Sequence, residues 1–457
     1  MSLVKYLSQT DTIQTIVKQA TGAATQLLLG VNGTVKAASI AAIFNANPRQ
    51  ILVIADTQTH AEQLYFDVAA LVDDVYQFPA EESVATEMAI SSSELRLQRL
   101  QTLMALVTGQ PMIVVTNLAG AERLLPDMAT VTAARLTIRV GETYEFSEIK
   151  NTLMMMGYSP VKLVQTPGEF AQRGSIIDIY PLTANDPIRL DFFDDELDQL
   201  KQFDVTSQKS IASLEAVTID PATDFVVSES QYDQAKLAIE TAFSDNRTRL
   251  NGAAKKHATD GFALTQHVLN AHERGPELLP YMQYFFNGQT TLLDYFRDDA
   301  LIVIDEYTRL TETRLQQLTR DQEWIDKQIE SFQLLPHQTW RVDIADQIAH
   351  NQRTSLYLAN FQRGLNRIKF DAMVEITTRP ANQYYGQINA LKNDLTYAQE
   401  AGATVILMID DAKQRHDFAS SLVDFKIPIT ETTEVLPNQV QIMSGALTAG
   451  FEWPQLH

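Results

Sequence analysis

Short apolar runs alternate with helix-spaced apolar residues along the first 125 residues of the chain. The near-continuous apolar runs at residues 26–30, 50–56 and 111–116 predict strands buried on both faces, as in a parallel sheet. Helical spacing at residues 37–45 and 60–72 separates these runs. This strand–helix order predicts a doubly wound α/β domain.

The pattern changes after about residue 125. From residue 132 to 212 the segments are shorter, alternate with a period of two and are broken by Pro and Gly, which predicts an α+β module with an antiparallel sheet. The chain becomes helical from about residue 221, and the apolar run at 300–305 predicts a return to the first sheet. A long helix is expected over residues 308–332.

A third pattern begins near residue 355. Helices are expected around residues 381–401 and 411–423, with strands at 404–410, 427–430 and 439–443. We therefore predict a first domain from residues 1–125 and 216–345, an inserted α+β domain at 126–215 and a separate small α/β domain at 346–457. Because the chain stops soon after a predicted strand, its end is interpreted as a cut in a longer protein.

Composition narrows the class of protein. The 36 Lys and Arg residues against 57 Asp and Glu residues give a net charge of −21, which argues against loose binding along DNA but leaves a local basic groove open. The sequence contains no secretory signal and no membrane-spanning apolar run, so a cytoplasmic protein is expected. The absence of cysteine excludes disulfides and a Cys nucleophile, and the eight scattered His residues predict no metal site.

The segment GVNGTVKA, from Gly30 to Ala37, lies between a predicted strand and a predicted helix, where a phosphate-binding loop occurs. Gly30 and Lys36 match that motif, and Gly33 lies between them. The second glycine of the motif is replaced by Val35, whose side chain fills the space in which backbone amides approach a phosphate. Ala37 lacks the hydroxyl group that holds magnesium.

Two carboxylates follow the strand at residues 301–305. Asp305 and Glu306 have the position of the Walker B pair, which binds magnesium in phosphate-loop enzymes. Taken alone, they are interpreted as solvated acids at the end of a buried strand; together with Lys36, they indicate a decayed nucleotide site. Both interpretations predict no efficient ATP hydrolysis and no catalytic residue in this chain.

The inserted module offers a candidate binding surface. In the strand at residues 188–193, side chains alternate between faces, so Arg189, Asp191 and Phe193 form a row opposite the core-facing residues. Arg173 precedes the neighbouring strand, and a turn over residues 182–187 would bring the two strands together. Aromatic and Arg side chains are enriched in protein–protein hot spots.

Two other interpretations of this row stay open. Arg189 and Asp191 could form surface ion pairs, which contribute about 0–1 kcal/mol. Phe193 could pack under a helix over residues 194–203. The residues alone do not decide between these readings and an interface.

The run from residue 166 to 210 contains GEFAQRG, DIYP, RLDFFDDE and FDVTSQ. It resembles the segment shared by the bacterial excision-repair protein UvrB and the transcription-repair coupling factors. The resemblance to the coupling factors extends over the whole chain, through SSSELRLQRLQTL and LIVIDE. The coupling factors fit better than UvrB, because the phosphate loop is altered and residues 79–101 contain no Phe, Tyr or Trp for a DNA-clamping hairpin.

The resemblance implies a degenerate RecA/UvrB-like phosphate-loop domain with an inserted domain that binds the damage-recognition ATPase UvrA. Arg173, Arg189, Asp191 and Phe193 match the residues used by the family for UvrA. It also implies that ATP, magnesium, DNA and RNA polymerase are bound by downstream domains that are absent from this sequence. The complete factor would be an ATP-dependent DNA translocase, whereas this chain would need no cofactor.

The sequence thus predicts a non-catalytic module that mimics UvrB and brings UvrA to a lesion at a stalled RNA polymerase. An alternative is an active UvrB-like, ATP-dependent DNA-damage-binding protein. A second alternative is an autoinhibitory domain, in which the C-terminal part of the full-length factor covers the row from Arg189 to Phe193.

Overall fold

The first part of the chain supplies four strands of a parallel sheet. The structure, a computed structural model, describes residues 2–89, 92–274, 276–286, 290–365, 367–423 and 429–456. Its first elements are α1 (Leu3–Ser8), α2 (Asp11–Gln19), β1 (Thr25–Leu29), α3 (Thr34–Ala46), β2 (Ile51–Ala55), α4 (Gln58–Ala69), β3 (Val75–Phe78), α5 (Val84–Ala89), α6 (Ser93–Val107), β4 (Ile113–Asn117) and α7 (Leu118–Ala121). Residues 90 and 91 of the aromatic-free segment, and residues 427 and 428 of a predicted strand, lie outside the described residues.

An inserted domain follows. Its elements are α8 (Met128–Ala133), β5 (Leu136–Arg139), α9 (Phe146–Met155), β6 (Ser159–Pro160), β7 (Glu169–Arg173), β8 (Ile176–Ile179), β9 (Ile188–Phe193), β10 (Glu196–Phe203), β11 (Ser210–Leu214) and β12 (Ala216–Ile219). A six-stranded sheet has the order β11-β10-β9-β8-β7-β6, and β12 pairs with β5 in a separate ribbon. Helix α9 contributes Ile149 and Leu153 to the core of this domain, against Ile177 and Leu190 of the sheet. The predicted antiparallel module is therefore confirmed, with one parallel pair at β6–β7.

A helical layer connects the inserted domain to the returning sheet strands. It consists of α10 (Glu229–Thr248), α11 (Gly252–Asn270), the 3₁₀ helix Pro276–Tyr281 and α12 (Met282–Phe285). Ser228 starts α10 with a capping box to Gln231, which satisfies two backbone donors of the first turn. Stacked Phe243 and Phe262 join the two long helices through their aromatic rings.

The chain then re-enters the parallel sheet. The 3₁₀ helix Leu292–Tyr295 leads to β13 (Leu301–Asp305), α13 (Tyr307–Glu330), α14 (Ile344–Ala349), β14 (Thr354–Ala359) and β15 (Ala372–Glu375). The sheet has seven strands in the order β15-β1-β14-β13-β2-β4-β3. All six pairings are parallel. Apolar clusters cover both faces of this sheet, as the near-continuous apolar runs predict.

Two predicted domain boundaries need correction. The boundary at residue 346 assigns β14 and β15 to a separate domain, but both strands pair with β1 and complete the first sheet. The boundary at residue 216 assigns β12 to the first domain, but β12 pairs with β5 and places Ile219 in the core of the inserted domain. In both cases a strand far along the sequence pairs with an early one, and a local apolar pattern does not reveal its partner.

The last part of the chain forms a small α/β unit. Its elements are β16 (Arg379–Pro380), α15 (Ile388–Glu400), β17 (Val405–Met408), α16 (Ala412–Val423), β18 (Ile429–Glu431), β19 (Val440–Met443), β20 (Phe451–Glu452) and the 3₁₀ helix Pro454–Leu456. A parallel sheet has the order β17-β19-β18. Strand β20 pairs with β16, and Phe451 and Trp453 pack against the core of the first sheet. The residues around β20, at the end of this unit, therefore lie against the first domain.

A buried ion pair joins the inserted domain to the first domain. Asp224 accepts a hydrogen bond from Arg99 Nε at 2.7 Å, and Arg123 Nη2 lies 3.4 Å from the same carboxylate. Burial opposes the charge of Asp224, but the two guanidinium groups hold its pKa well below the usual value of 3.8. This carboxylate therefore stabilises the fold above pH 3.8, and its contribution falls as the pH drops towards the lower folded pKa.

Asp224→Asn is expected to lower the free energy of unfolding by about 2 kcal/mol at neutral pH, because a charge-assisted hydrogen bond is lost. Urea unfolding at neutral pH and at about pH 3 measures the change. The difference between wild type and variant should shrink in acid, where Asp224 becomes protonated in the unfolded chain. A difference that stays constant or grows in acid would contradict this role of Asp224.

Candidate functional site

The outer face of the inserted sheet carries the predicted row. Along β9, Ile188, Leu190 and Phe192 are buried in the core, whereas Phe193 is 80% exposed. The turn over residues 182–187 brings β8 and β9 together, and Asp178 lies directly opposite Arg189 in the antiparallel register. The predicted alternation and hairpin are confirmed.

A buried carboxylate organises this face. Asp178 is fully buried, and its Oδ1 accepts a hydrogen bond from Arg189 Nε at 2.6 Å. Its Oδ2 accepts hydrogen bonds from Arg189 Nη2 at 3.0 Å and from Arg173 Nη2 at 2.5 Å. The guanidinium groups of Arg173 and Arg189 would repel each other without a counter-charge. The carboxylate of Asp178 binds both and holds them side by side.

Arg189 has further contacts that fix its orientation. Its Nη2 also donates to Gln208 Oε1 at 3.2 Å, and its Cζ lies 4.4 Å from the centroid of the Phe203 ring. The hydrogen bonds to Asp178 raise the pKa of Arg189 above its usual value. Because Asp178 of the same chain accepts from Nε and Nη2 of Arg189, this edge of the guanidinium group is not open to a partner's acid.

The predicted helix over residues 194–203 is wrong. Strand β10 occupies Glu196–Phe203, and Asp194 takes a left-handed conformation with φ of 59° in the turn after β9. Leu197, Leu200 and Phe203 are spaced like a helix, but a register shift between Leu197 and Gln199 lets a strand turn Leu197 and Leu200 to the core. Phe193 therefore does not pack under a helix at this place.

The sequence did not predict one residue of this surface, Asp178. Asp178 stands in the DIYP motif, but a single acid in a strand gives no signal that it is buried. Ile211 is 55% exposed on the edge strand β11, but it lies at a register shift between β10 and β11, so the strand pairing does not place it on the face of Arg189. We call the surface formed by Arg173, Arg189, Asp191 and Phe193 the docking face.

The segment from Gly30 to Ala37, which the sequence predicts to be an altered phosphate loop, is covered at Gly30 by another part of the chain. Gly30 has φ of 79°, and a Cβ atom there would lie 1.9 Å from the carbonyl oxygen of Ile376. The Ile376 N–H donates to Leu29 O at 3.0 Å, and Thr378 Oγ1 donates to Gly30 O at 2.8 Å. The segment after β15 thus packs on the loop at the position of Gly30.

Lys36 forms ion pairs with both predicted carboxylates, Asp305 and Glu306. Its Nζ lies 2.6 Å from Asp305 Oδ1 and 3.0 Å from Glu306 Oε1. Burial opposes the charge of Lys36, yet the two acids raise its pKa above 10.5. Gly33, with φ of 47°, immediately precedes α3, in which Val35 and Ala37 are fully buried. The structure therefore brings Lys36, Asp305 and Glu306 together, as predicted for this edge of the sheet.

A second polar group at the same edge was not predicted. Asp56 follows β2, and its Oδ1 lies 2.5 Å from His60 Nδ1. Arg309 bridges both, with Nε 3.0 Å from Asp56 Oδ2 and Nη2 3.1 Å from His60 Nε2. The sequence signal for Asp56 was its position directly after β2, a strand that neighbours β13 in the sheet.

Comparison with known proteins agrees with this architecture. The model of the UvrB interaction domain matches residues 136–225. The transcription-repair-coupling factor of Bacillus subtilis (strain 168) is 28% identical over 463 residues, covering 97% of this chain. That of Staphylococcus aureus (strain MRSA252) is 26% identical over 100% of this chain, and that of Staphylococcus haemolyticus (strain JCSC1435) is 27% identical over 94%.

The chain is homologous to transcription-repair-coupling factors. It spans 39% of the length of the B. subtilis and S. aureus relatives. The matched UvrB interaction domain contains the whole docking face and Asp178. Within the described residues, no helix is long and apolar enough to cross a bilayer, and no three metal-binding side chains of His, Asp or Glu cluster together.

Proposed function

We propose that this chain is a recruitment module that binds UvrA through the docking face. The observation that carries the proposal is an exposed Phe193 beside two arginines that one buried carboxylate holds in place. A large aromatic ring in water and a pre-ordered guanidinium pair are the composition of a binding hot spot. Because Asp178 fixes Arg189 before binding, little side-chain entropy is lost when a partner arrives.

Within this proposal, the two arginines meet acidic groups of UvrA through their outer edges. Arg189 Nη1 has no hydrogen-bond partner among the described residues, and Arg173 is held only through Nη2. The ring of Phe193 would supply apolar contact beside them. Asp191, half-buried on the same strand, favours a basic group of the partner at this place.

The proposed module is non-catalytic. Lys36 is neutralised by Asp305 and Glu306, and the backbone at Ile376 packs on Gly30, so the loop lacks the open amide cradle that a triphosphate needs. In the complete factor, other domains would supply ATP-driven translocation and the contacts to RNA polymerase and DNA, all in the cytoplasm. The C-terminal part of that factor could cover the docking face until the motor engages.

A competition experiment tests the proposed mimicry. Labelled chain is bound to purified UvrA, and unlabelled UvrB is added in excess. We expect UvrB to displace the chain, because both would occupy one site on UvrA. A chain that does not bind UvrA overturns the recruitment function, whereas a stable complex of all three proteins overturns the shared site. Measurable ATP turnover by the chain alone would favour an active UvrB-like enzyme.

A further inference from the structure

A stretch without acidic residues includes strand β14 and the connection from β14 to β15. Between Asp346 and Asp371 the sequence contains four cations and no Asp or Glu, in a chain whose net charge is −21. The part of this stretch at residues 360–370, which we call the crossover loop, connects the end of β14 to the start of β15. It reads NFQRGLNRIKF.

The crossover loop is anchored rather than free. The Asn360 N–H donates to Glu306 Oε1 at 3.1 Å, and Leu365 is buried in the sheet's core cluster, against which Ile368 and Phe370 pack. Gly364 has φ of 79°, and a Cβ atom there would lie 2.4 Å from Thr308 Oγ1, which donates to Arg363 O at 2.9 Å. The loop is therefore pinned against the first turn of α13.

The anchored loop presents a ring and three cations to solvent. Phe361 is 72% exposed, and Arg363, Arg367 and Lys369 are exposed as well. None of these three cations has an ion-pair partner in the part of the chain that the structure describes. Gln362 and Gly364, which are close to Phe361 in the loop, are also exposed. Phe361 is therefore a single exposed ring and does not lie in an apolar groove.

We propose that the crossover loop binds single-stranded DNA, with the three cations on phosphates and Phe361 stacked on an unpaired base. A lone exposed ring beside cations suits a base and its phosphates, whereas an acidic peptide helix would need an apolar groove. Phosphates and unpaired bases occur in single-stranded DNA and in single-stranded RNA, so the matching RNA is the competing ligand in the test. This site lies on the first domain and is independent of the docking face.

The test measures fluorescence anisotropy of a labelled single-stranded DNA of about 20 nucleotides with the full chain at low salt, about 50 mM. We expect Arg363→Ala/Arg367→Ala/Lys369→Ala to weaken binding about tenfold or more and to reduce the slope of log K against log salt by about 2. Phe361→Ala should weaken binding about tenfold with an unchanged salt slope. The matched control Arg249→Ala/Lys255→Ala/Lys256→Ala removes three exposed cations elsewhere and should bind like wild type.

Several results would overturn the proposal. These are no binding by wild type, equal binding by the loop variants, an equal loss in the control, and tighter binding of the matching RNA. Oligoglutamate that binds as tightly as DNA and loses affinity in the same variants would instead identify an acidic protein segment as the ligand. If the triple variant does not fold, Phe361→Ala alone decides, because its ring lies outside the core clusters.

Discussion

The double variant Arg189→Ala/Phe193→Ala is expected to bind UvrA about 100-fold more weakly than wild type, or weaker still, a loss of about 2.7 kcal/mol. The reason is that both substitutions remove groups proposed to lie at the centre of the interface. Arg189 presents an ordered guanidinium group, and Phe193 presents the most exposed ring of the docking face. The dissociation constant, measured by isothermal titration calorimetry with purified UvrA, gives the loss directly.

A matched control variant distinguishes the loss of a direct contact with UvrA from a general effect of removing exposed side chains. Arg249→Ala/Phe66→Ala removes one exposed cation and one 62% exposed ring on other parts of the surface, and it should leave UvrA affinity unchanged. Arg189→Ala also removes two hydrogen bonds from the buried Asp178, so urea unfolding must show that the variant is folded. If the folded double variant binds as well as the control, the docking face is not the site.

Lys36→Met is expected to lower the free energy of unfolding by about 3 kcal/mol, because it leaves two carboxylates without their shared cation. Burial already raises the pKa of Asp305 against the pull of Lys36, so Asp305 can take up a proton and limit the loss. Urea unfolding at neutral pH measures the change. UvrA affinity should be unaffected, since Lys36 lies outside the inserted domain.

The companion variant Lys36→Met/Asp305→Asn checks the cause. Removing the buried charge of Asp305 together with Lys36 should recover part of the lost stability, which a double-mutant cycle quantifies. In a working phosphate loop, the lysine binds the phosphates of the nucleotide, so its loss abolishes ATP turnover. A Lys36→Met chain as stable as wild type, together with ATP turnover that only wild type shows, would contradict a purely structural ion pair.

The sequence predicted the elements with strong periodicity. The apolar runs at 50–56 and 300–305 correspond to β2 and β13, and the long helix expected over 308–332 is α13. These segments are buried on both faces or amphipathic over many turns, so the local pattern alone determines them. The face assignment of Arg189 and Phe193 followed from the pleat in the same way.

The features that the sequence did not predict have a different physical origin. The helix considered as one alternative over residues 194–203 is replaced by strand β10, in which a bulge between Leu197 and Gln199 gives the buried residues a helix-like spacing. The placement of β14 beside β1, and the burial of Asp178 under Arg189, depend on pairings between distant segments. The same holds for the closure of Gly30 by Ile376, since the two residues meet only in the folded sheet.

The most direct test of the recruitment function is a calorimetric titration of UvrA with the single variants Phe193→Ala and Phe66→Ala. Both rings are exposed, and only Phe193 lies on the docking face, outside the core of its own domain. We expect Phe193→Ala to weaken UvrA binding about 30-fold, the effect of losing a hot-spot ring, and Phe66→Ala to bind like wild type. Equal dissociation constants for wild type, Phe193→Ala and Phe66→Ala would contradict the proposed docking face.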